Sequence, residues 1–236
     1  MNIYSEILEA KARKKKLLAL LIDPDKVDWD ALEYVAEKIC ASPATHVFIG
    51  GSHVASQRLD ELVISIKELC GLPVVLFPGN PSQISQYAHG ILFLSLLSGR
   101  NPDFLVGHHV DAAPILKKSG LEVIPTGYLL IESGGVTAVE FVSHTKPLPL
   151  DDVEQIVNTA IASELMGHQL VYLEAGSGAS NPVPSEIIRK VSRNINVPLI
   201  VGGGIKDLNG IEVAYDAGAD LVVIGTAFEN NPSFFN

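Results

Sequence analysis

Three glycine clusters lie late in the chain: Gly176-Ser177-Gly178, Gly202-Gly203-Gly204 and Gly225-Thr226. Glycine lets backbone N–H groups approach an anion with no Cβ in the way, so each cluster is a candidate phosphate cradle. Much earlier stands Asp23-Pro24-Asp25-Lys26. Carboxylates there could bind Mg²⁺, a hard ion that takes oxygen ligands and often bridges to substrate phosphates. Asp23 is the stronger metal candidate because it ends an apolar run, whereas Asp25 is equally well placed to cap a following helix. Ser52, after Gly50-Gly51, could add an oxygen to the same site or be a simple turn residue. Tyr172 and Glu174 are two apart, which puts them on one side of a strand. Beside a phosphate loop, the carboxylate could bind hydroxyls or take a proton from one. In the bland alternative, the two form a polar pair inside a core.

The elements that must position these residues can be read from the apolar pattern. Runs without polar alternation cover 17–22, 46–49, 73–77, 91–97, 122–130, 170–173, 198–201 and 221–224. Such runs are strands covered on both faces. Helical spacing fills 28–40, 59–69, 110–118, 153–166, 185–191 and 208–216. Strand–helix alternation of this kind predicts a (β/α)8, or TIM, barrel in one domain spanning 1–236. In that fold the active site gathers at the carboxyl ends of the strands, and the loops after strands seven and eight commonly hold phosphate. A doubly wound open sheet fits less well, since no G-x-G-x-x-G opens a helix after an early strand. Only thirteen residues separate Phe77 from Ile91, including Pro78, Gly79, Pro81 and Gly90, so the helix after strand three is expected to be short or missing. Residues 1–16 read as an additional helix. The few residues after strand eight leave the last helix absent or truncated.

Composition sets the outer limits. Of 236 residues, 47% are hydrophobic and 19% charged, which suits a chain with a sizeable core. The net charge of −10 argues against nucleic acid as a partner and requires any phosphate to be caught by local geometry or a metal. No apolar run is long enough for a membrane span, and the first residues do not have the order of a signal peptide. Cys40 and Cys70, the two cysteines, fit a reduced cytoplasm without a disulfide framework. His108, His109 and His144 have no partners at zinc-ligand spacing, and no lysine ends a strand where a Schiff base would form. Lys146 could reach a phosphate, though a solvated loop lysine explains it as well.

Taken together, these motifs resemble the geranylgeranylglyceryl phosphate synthase family, which includes the bacterial heptaprenylglyceryl phosphate synthases. The likeness rests on Leu21-Ile22-Asp23-Pro24-Asp25-Lys26, Gly50-Gly51-Ser52, Phe77-Pro78-Gly79-Asn80, Tyr172-Leu173-Glu174-Ala175-Gly176-Ser177-Gly178, Val201-Gly202-Gly203-Gly204-Ile205 and Gly225-Thr226. It implies a modified barrel whose third helix is replaced by a short segment. It implies a Mg²⁺-dependent prenyltransferase that joins sn-glycerol 1-phosphate to a long-chain prenyl diphosphate, usually geranylgeranyl diphosphate, through an ether bond. On the same ground Asp23 and Ser52 would hold the metal. Tyr172, Leu173, Glu174, Ala175, Gly176, Ser177, Gly178, Gly203, Gly204, Gly225 and Thr226 would form the glycerol phosphate site, with Glu174 and Tyr172 catalytic. Leu21 stands where the shorter bacterial members carry lysine, so the resemblance is to the second group of the family. A homo-oligomer with at most peripheral lipid contact is expected. The rival is a sugar-phosphate isomerase barrel, which would need facing aspartates at strands one and five; strand five offers Thr126-Gly127-Tyr128 instead. A barrel that binds phosphate without turnover is the other alternative.

Overall fold

A computed structural model describes residues 2–52 and 57–235; Met1 and Asn236, the two ends of the expected domain, lie outside them. Eight strands, β1 (Leu17–Ile22), β2 (His46–Ile49), β3 (Val74–Leu76), β4 (Gly90–Leu96), β5 (Glu122–Leu130), β6 (Leu170–Glu174), β7 (Leu199–Gly202) and β8 (Leu221–Ile224), pair in chain order. Every pairing is parallel, and β8 closes on β1. The expected barrel is therefore present, with strand bounds within a residue or two of the apolar runs.

The wall separates two cores. Ala19, Phe48, Val75, Leu92, Leu130, Tyr172, Ile200 and Val223 point inward and fill the barrel. Leu18, Leu20, Val47, Val74, Leu129, Val171, Val201 and Val222 point outward against the helices. This alternation follows from the two-residue period of a strand. The outer ring comprises α2 (Leu32–Ala41), α3 (Leu59–Cys70), α4 (His108–Ser119), α6 (Val153–Leu165), α7 (Ser185–Ser192) and α8 (Leu208–Ala217). Amphipathic spacing predicted each of these. Between β5 and α6 a short helix, α5 (Ala138–Ser143), was not expected; Thr137 caps it by accepting the Glu140 N–H at 3.1 Å. The fourth helix also starts earlier than its periodicity suggested, behind a π-helical turn at Asp103–Gly107. The last helix, α9 (Thr226–Asn230), is five residues long, truncated as expected. Among the described residues no helix is long and apolar enough to cross a membrane.

The first helix, α1 (Ile3–Ala12), plugs the amino-terminal end of the barrel with Ile3, Ile7 and Ala10. The Glu122 carboxylate at the start of β5 holds it there by accepting the N–H groups of Ile3 and Tyr4 at 2.5 and 2.8 Å. A carboxylate on the first turn also matches the positive end of the helix dipole. Lys11 ties the other end to Asp220 at 2.8 Å. Glu122→Ala leaves two N–H groups without their acceptor and should cost about 1–3 kcal/mol. A calorimetric scan should show a melting temperature several degrees lower. Turnover per folded molecule should be unchanged, because Glu122 lies at the opposite end from the glycine loops.

No helix forms between β3 and β4, as the short spacing predicted. Residues 77–89 run instead as turns packed against the end of β2. The fit is close at Gly79, where a Cβ would come within 2.5 Å of the carbonyl oxygens of Gly51 and Ser52. Its N–H is held by the Gln83 side chain at 3.1 Å. One flank of the barrel is thus left without a covering helix.

Candidate active site

At the carboxyl ends of the strands lies a cavity of about 570 Å³. Asp23 enters it from β1, Ser52 from the turn after β2, Tyr172 and Glu174 from β6, and Gly203, Gly204, Gly225 and Thr226 from the turns after β7 and β8. The expected residues are therefore drawn to one place from five strand ends. Gly176, Ser177 and Gly178 form a third side, and Ser177 Oγ lies 3.3 Å from Thr226 Oγ1, joining the loops after β6 and β8. Leu173 and Ala175 are not among the lining residues; both side chains pack in the outer core, as strand parity requires. Lys146 pairs with Glu140 on α5 and does not line the cavity.

Glu174 is buried, and its Oε1 accepts the Gly176 N–H at 2.6 Å. Burial pushes its pKa up to about 7, against the opposing pull of the Gly176 N–H and the neighbouring Tyr172 hydroxyl. A carboxylate poised near neutrality can accept a proton at physiological pH. Gly203 stands over this group with φ +80°, and a Cβ there would fall 2.1 Å from Glu174 Oε1. Glycine is therefore required for the loop and the carboxylate to share this space. The Tyr172 hydroxyl is buried and makes no hydrogen bond of good geometry. Burial, followed by the Glu174 charge, holds its pKa well above the ordinary value, so it stays a neutral donor. An unsatisfied buried hydroxyl beside a base marks a place for a ligand's oxygen.

Tyr172 belongs to an aromatic group that the sequence did not reveal. Its ring stacks on Phe77 at 5.4 Å and meets Tyr128 edge-on at 5.3 Å; Phe77 and Tyr128 are 5.9 Å apart. Phe77 and Tyr128 line both the polar cavity and a second pocket, so the two chambers meet at these rings. The second pocket, of about 100 Å³, runs under the helix-free flank past Ile84, Ile91, Phe93, Phe104 and Ala112. It is almost wholly apolar. His108 and His109 border it with their rings against Phe104 and Phe93, so they act as aromatic walls.

Asp23 also lines the polar cavity. Its Oδ1 accepts the Asp25 N–H at 3.1 Å, and Lys26 Nζ lies 3.5 Å from Oδ2. A Cβ on Gly51 would come within 3.2 Å of Oδ2, so the glycine keeps the space beside this carboxylate clear. No cluster of three His, Cys, Asp or Glu able to hold a metal exists among the described residues. One carboxylate and one serine nevertheless suit Mg²⁺, which usually retains waters and completes its shell with substrate phosphate. Two further residues that sequence reasoning missed also line the cavity: Lys206, held by the Ser180 carbonyl at 2.8 Å, and Glu229 on α9.

Comparison with known proteins places this geometry. The model of the PcrB family matches residues 10–235. A geranylgeranylglyceryl phosphate synthase of Flavobacterium johnsoniae is 58% identical over 235 residues, covering 100% of this chain and 97% of the relative. One from Korarchaeum cryptofilum is 40% identical and covers 94% and 92%. Among solved structures, (S)-3-O-geranylgeranylglyceryl phosphate synthase from Thermoplasma acidophilum, in complex with its substrate sn-glycerol-1-phosphate, superposes with a TM-score of 0.93. Its identity is 33%, covering 100% of this chain and 94% of that one.

Proposed function

Since the chain belongs to the PcrB family, together with the geranylgeranylglyceryl phosphate synthases it matches along its length, we propose that it transfers a long prenyl group to sn-glycerol 1-phosphate. The donor in this reading is geranylgeranyl diphosphate or a prenyl diphosphate of similar length. The products are an ether-linked prenylglyceryl phosphate and diphosphate.

The observation that carries the reading is the pair of chambers that meet at Phe77 and Tyr128, with Tyr172 packed against both rings on the polar side. A prenyl diphosphate has a charged head and a long apolar tail, and needs both chambers at once. The tail takes the groove along the helix-free flank, and the diphosphate takes the polar cavity near Asp23. The reacting carbon then sits at the aromatic rings, whose faces favour positive charge. Glycerol phosphate takes the loops after β6, β7 and β8 and presents a hydroxyl to Glu174. The allylic C–O bond breaks with its electron pair on the diphosphate, the glycerol oxygen bonds to the freed carbon, and the hydroxyl proton passes to Glu174. Holding both partners in place removes much of the entropic cost of their meeting. Mg²⁺, held by Asp23 and Ser52, would supply Lewis-acid neutralisation of the departing diphosphate. Assembly into a homo-oligomer, peripheral contact with lipid and a cytoplasmic location belong to the same reading.

The test is an assay of the purified protein with both enantiomers of glycerol phosphate and prenyl diphosphates of several lengths. Turnover is expected with the sn-1 isomer, with a preference for about twenty carbons as the family name implies, and should disappear with EDTA. Turnover of a sugar phosphate alone, with none on any prenyl donor, would overturn the reading.

A further inference from the structure

Glu229 reaches back across the closing seam of the barrel. Its Oε1 accepts the backbone N–H of Asp23 at 3.0 Å, and its Oε2 takes the Lys26 ammonium at 3.0 Å. The same residue donates its own N–H to the Gly225 carbonyl at 3.0 Å, so it belongs to the turn that carries Gly225 and Thr226. One mostly buried carboxylate therefore joins the loop expected to hold glycerol phosphate to the loop expected to hold the diphosphate. Both Lys26 and Glu229 line the cavity itself.

We propose that Lys26 binds the diphosphate of the prenyl donor beside Asp23, and that Glu229 is the residue that positions it. This rests on the prenyl-transfer reading above and adds to it a contact on the leaving group. Three observations support it. First, Lys26 and Lys206 are the cations lining the cavity among the described residues, and they stand at different places in it. Lys206 follows the Gly203-Gly204 turn, whereas Lys26 lies 3.5 Å from Asp23 Oδ2. Second, Lys26 is fixed but not enclosed: its ammonium lies 3.0 Å from Glu229 Oε2, while its side chain is 47% exposed against 14% for Glu229. Third, the local charge is one lysine against the carboxylates of Asp23 and Glu229. When a divalent ion neutralises Asp23, the ammonium is released from that partner and is available to a phosphate oxygen. Glu229 meanwhile keeps it in place. A purely structural ion pair would need neither an exposed face on the cavity nor a second bond from Glu229 to the Asp23 backbone.

The experiment measures calorimetric binding of inorganic pyrophosphate, with and without Mg²⁺, and of glycerol phosphate, to the full chain and its variants. Lys26→Met should weaken pyrophosphate by roughly tenfold to hundredfold, the loss of a charge-assisted bond, and leave glycerol phosphate binding within about twofold. Lys26→Arg should keep most of the affinity. Glu229→Gln retains size and one acceptor but loses its charge, and should fall between the two. Melting temperatures on the same samples identify any variant that fails to fold; if Lys26→Met is one, Lys26→Gln takes its place with the same loss expected and the same result overturning it. Unchanged pyrophosphate affinity in Lys26→Met overturns the assignment, as does an equal loss for both ligands. Wild-type affinity in Glu229→Gln overturns the positioning role. If the wild-type chain itself binds no pyrophosphate and turns over no prenyl donor, the prenyl-transfer reading falls and takes this assignment with it.

Discussion

Glu174→Gln is expected to lower turnover by roughly 10²–10⁴-fold, the usual contribution of a positioned base. The variant keeps the side chain's size and an acceptor for the Gly176 N–H, so the loop should survive. The sign of the pH dependence follows from the raised pKa. The base works only when deprotonated, so wild-type turnover should rise with pH through about 7. That limb should be missing in the variant. Stability should move the opposite way. A carboxyl whose pKa is raised by folding contributes most below its unfolded value near 4.5, and that contribution is lost as pH climbs through about 7. At pH 8 the burial of this charge costs on the order of 3 kcal/mol. Glu174→Gln should therefore melt at a higher temperature than wild type at pH 8, while being far less active. A variant that is less stable and fully active per folded molecule would make Glu174 a structural partner of Tyr172 only.

Asp23→Asn is expected to have the second large effect, a fall in turnover of about 10²-fold or more at limiting Mg²⁺. Changing only an outer partner of a metal site typically costs 10–100-fold, so loss of a direct ligand should exceed that. The amide is nearly the same size and can still accept the Asp25 N–H, so the melting temperature should hold. Raising Mg²⁺ should restore part of the loss, because diphosphate and Ser52 oxygens remain. Titrating turnover against Mg²⁺ for both proteins checks this. Near wild-type turnover at limiting Mg²⁺ would remove Asp23 from the metal site and shift attention to Asp25.

Much of this was legible in the sequence for a physical reason. A parallel strand covered on both faces must be apolar along its length, and it must end where the chain turns. Runs such as 198–201 closed by Gly202-Gly203-Gly204 therefore mark both a strand and its active end. The same logic exposed the absent third helix, since 78–90 is too short and too rich in proline and glycine to hold one. Leu173, expected in the site with its neighbours, instead packs in the outer core, because strand parity turns it away from Tyr172 and Glu174. What escaped depends on contacts remote in the chain. Glu229 is separated from Asp23 by 206 residues, and nothing in a local window of sequence announces that α9 returns to β1. Tyr172 was a candidate through its neighbour Glu174, but nothing local linked it to Phe77 or Tyr128, and only closure of the barrel brings the three rings together. The short α5 lacks the length for a periodic signal, and its cap at Thr137 was the sole local cue.

The helix-free flank has a mechanical consequence. Around the ring, neighbouring strands share between two and seven register pairs, with seven between β4 and β5 and only Val75↔Gly90 and Leu76↔Ile91 between β3 and β4. A hoop yields first at its thinnest joint, and here that joint has neither a long ladder nor a helix strapped across it. The groove runs along this same joint. The free energy to part the wall is therefore lowest beside the space that receives the tail, in keeping with the rule that local openings are drawn from regions of least buried contact. A rigid opposite half, where Glu174 and the glycine turns sit, can keep its geometry while the β3–β4 side gives way to a greasy chain of many conformations.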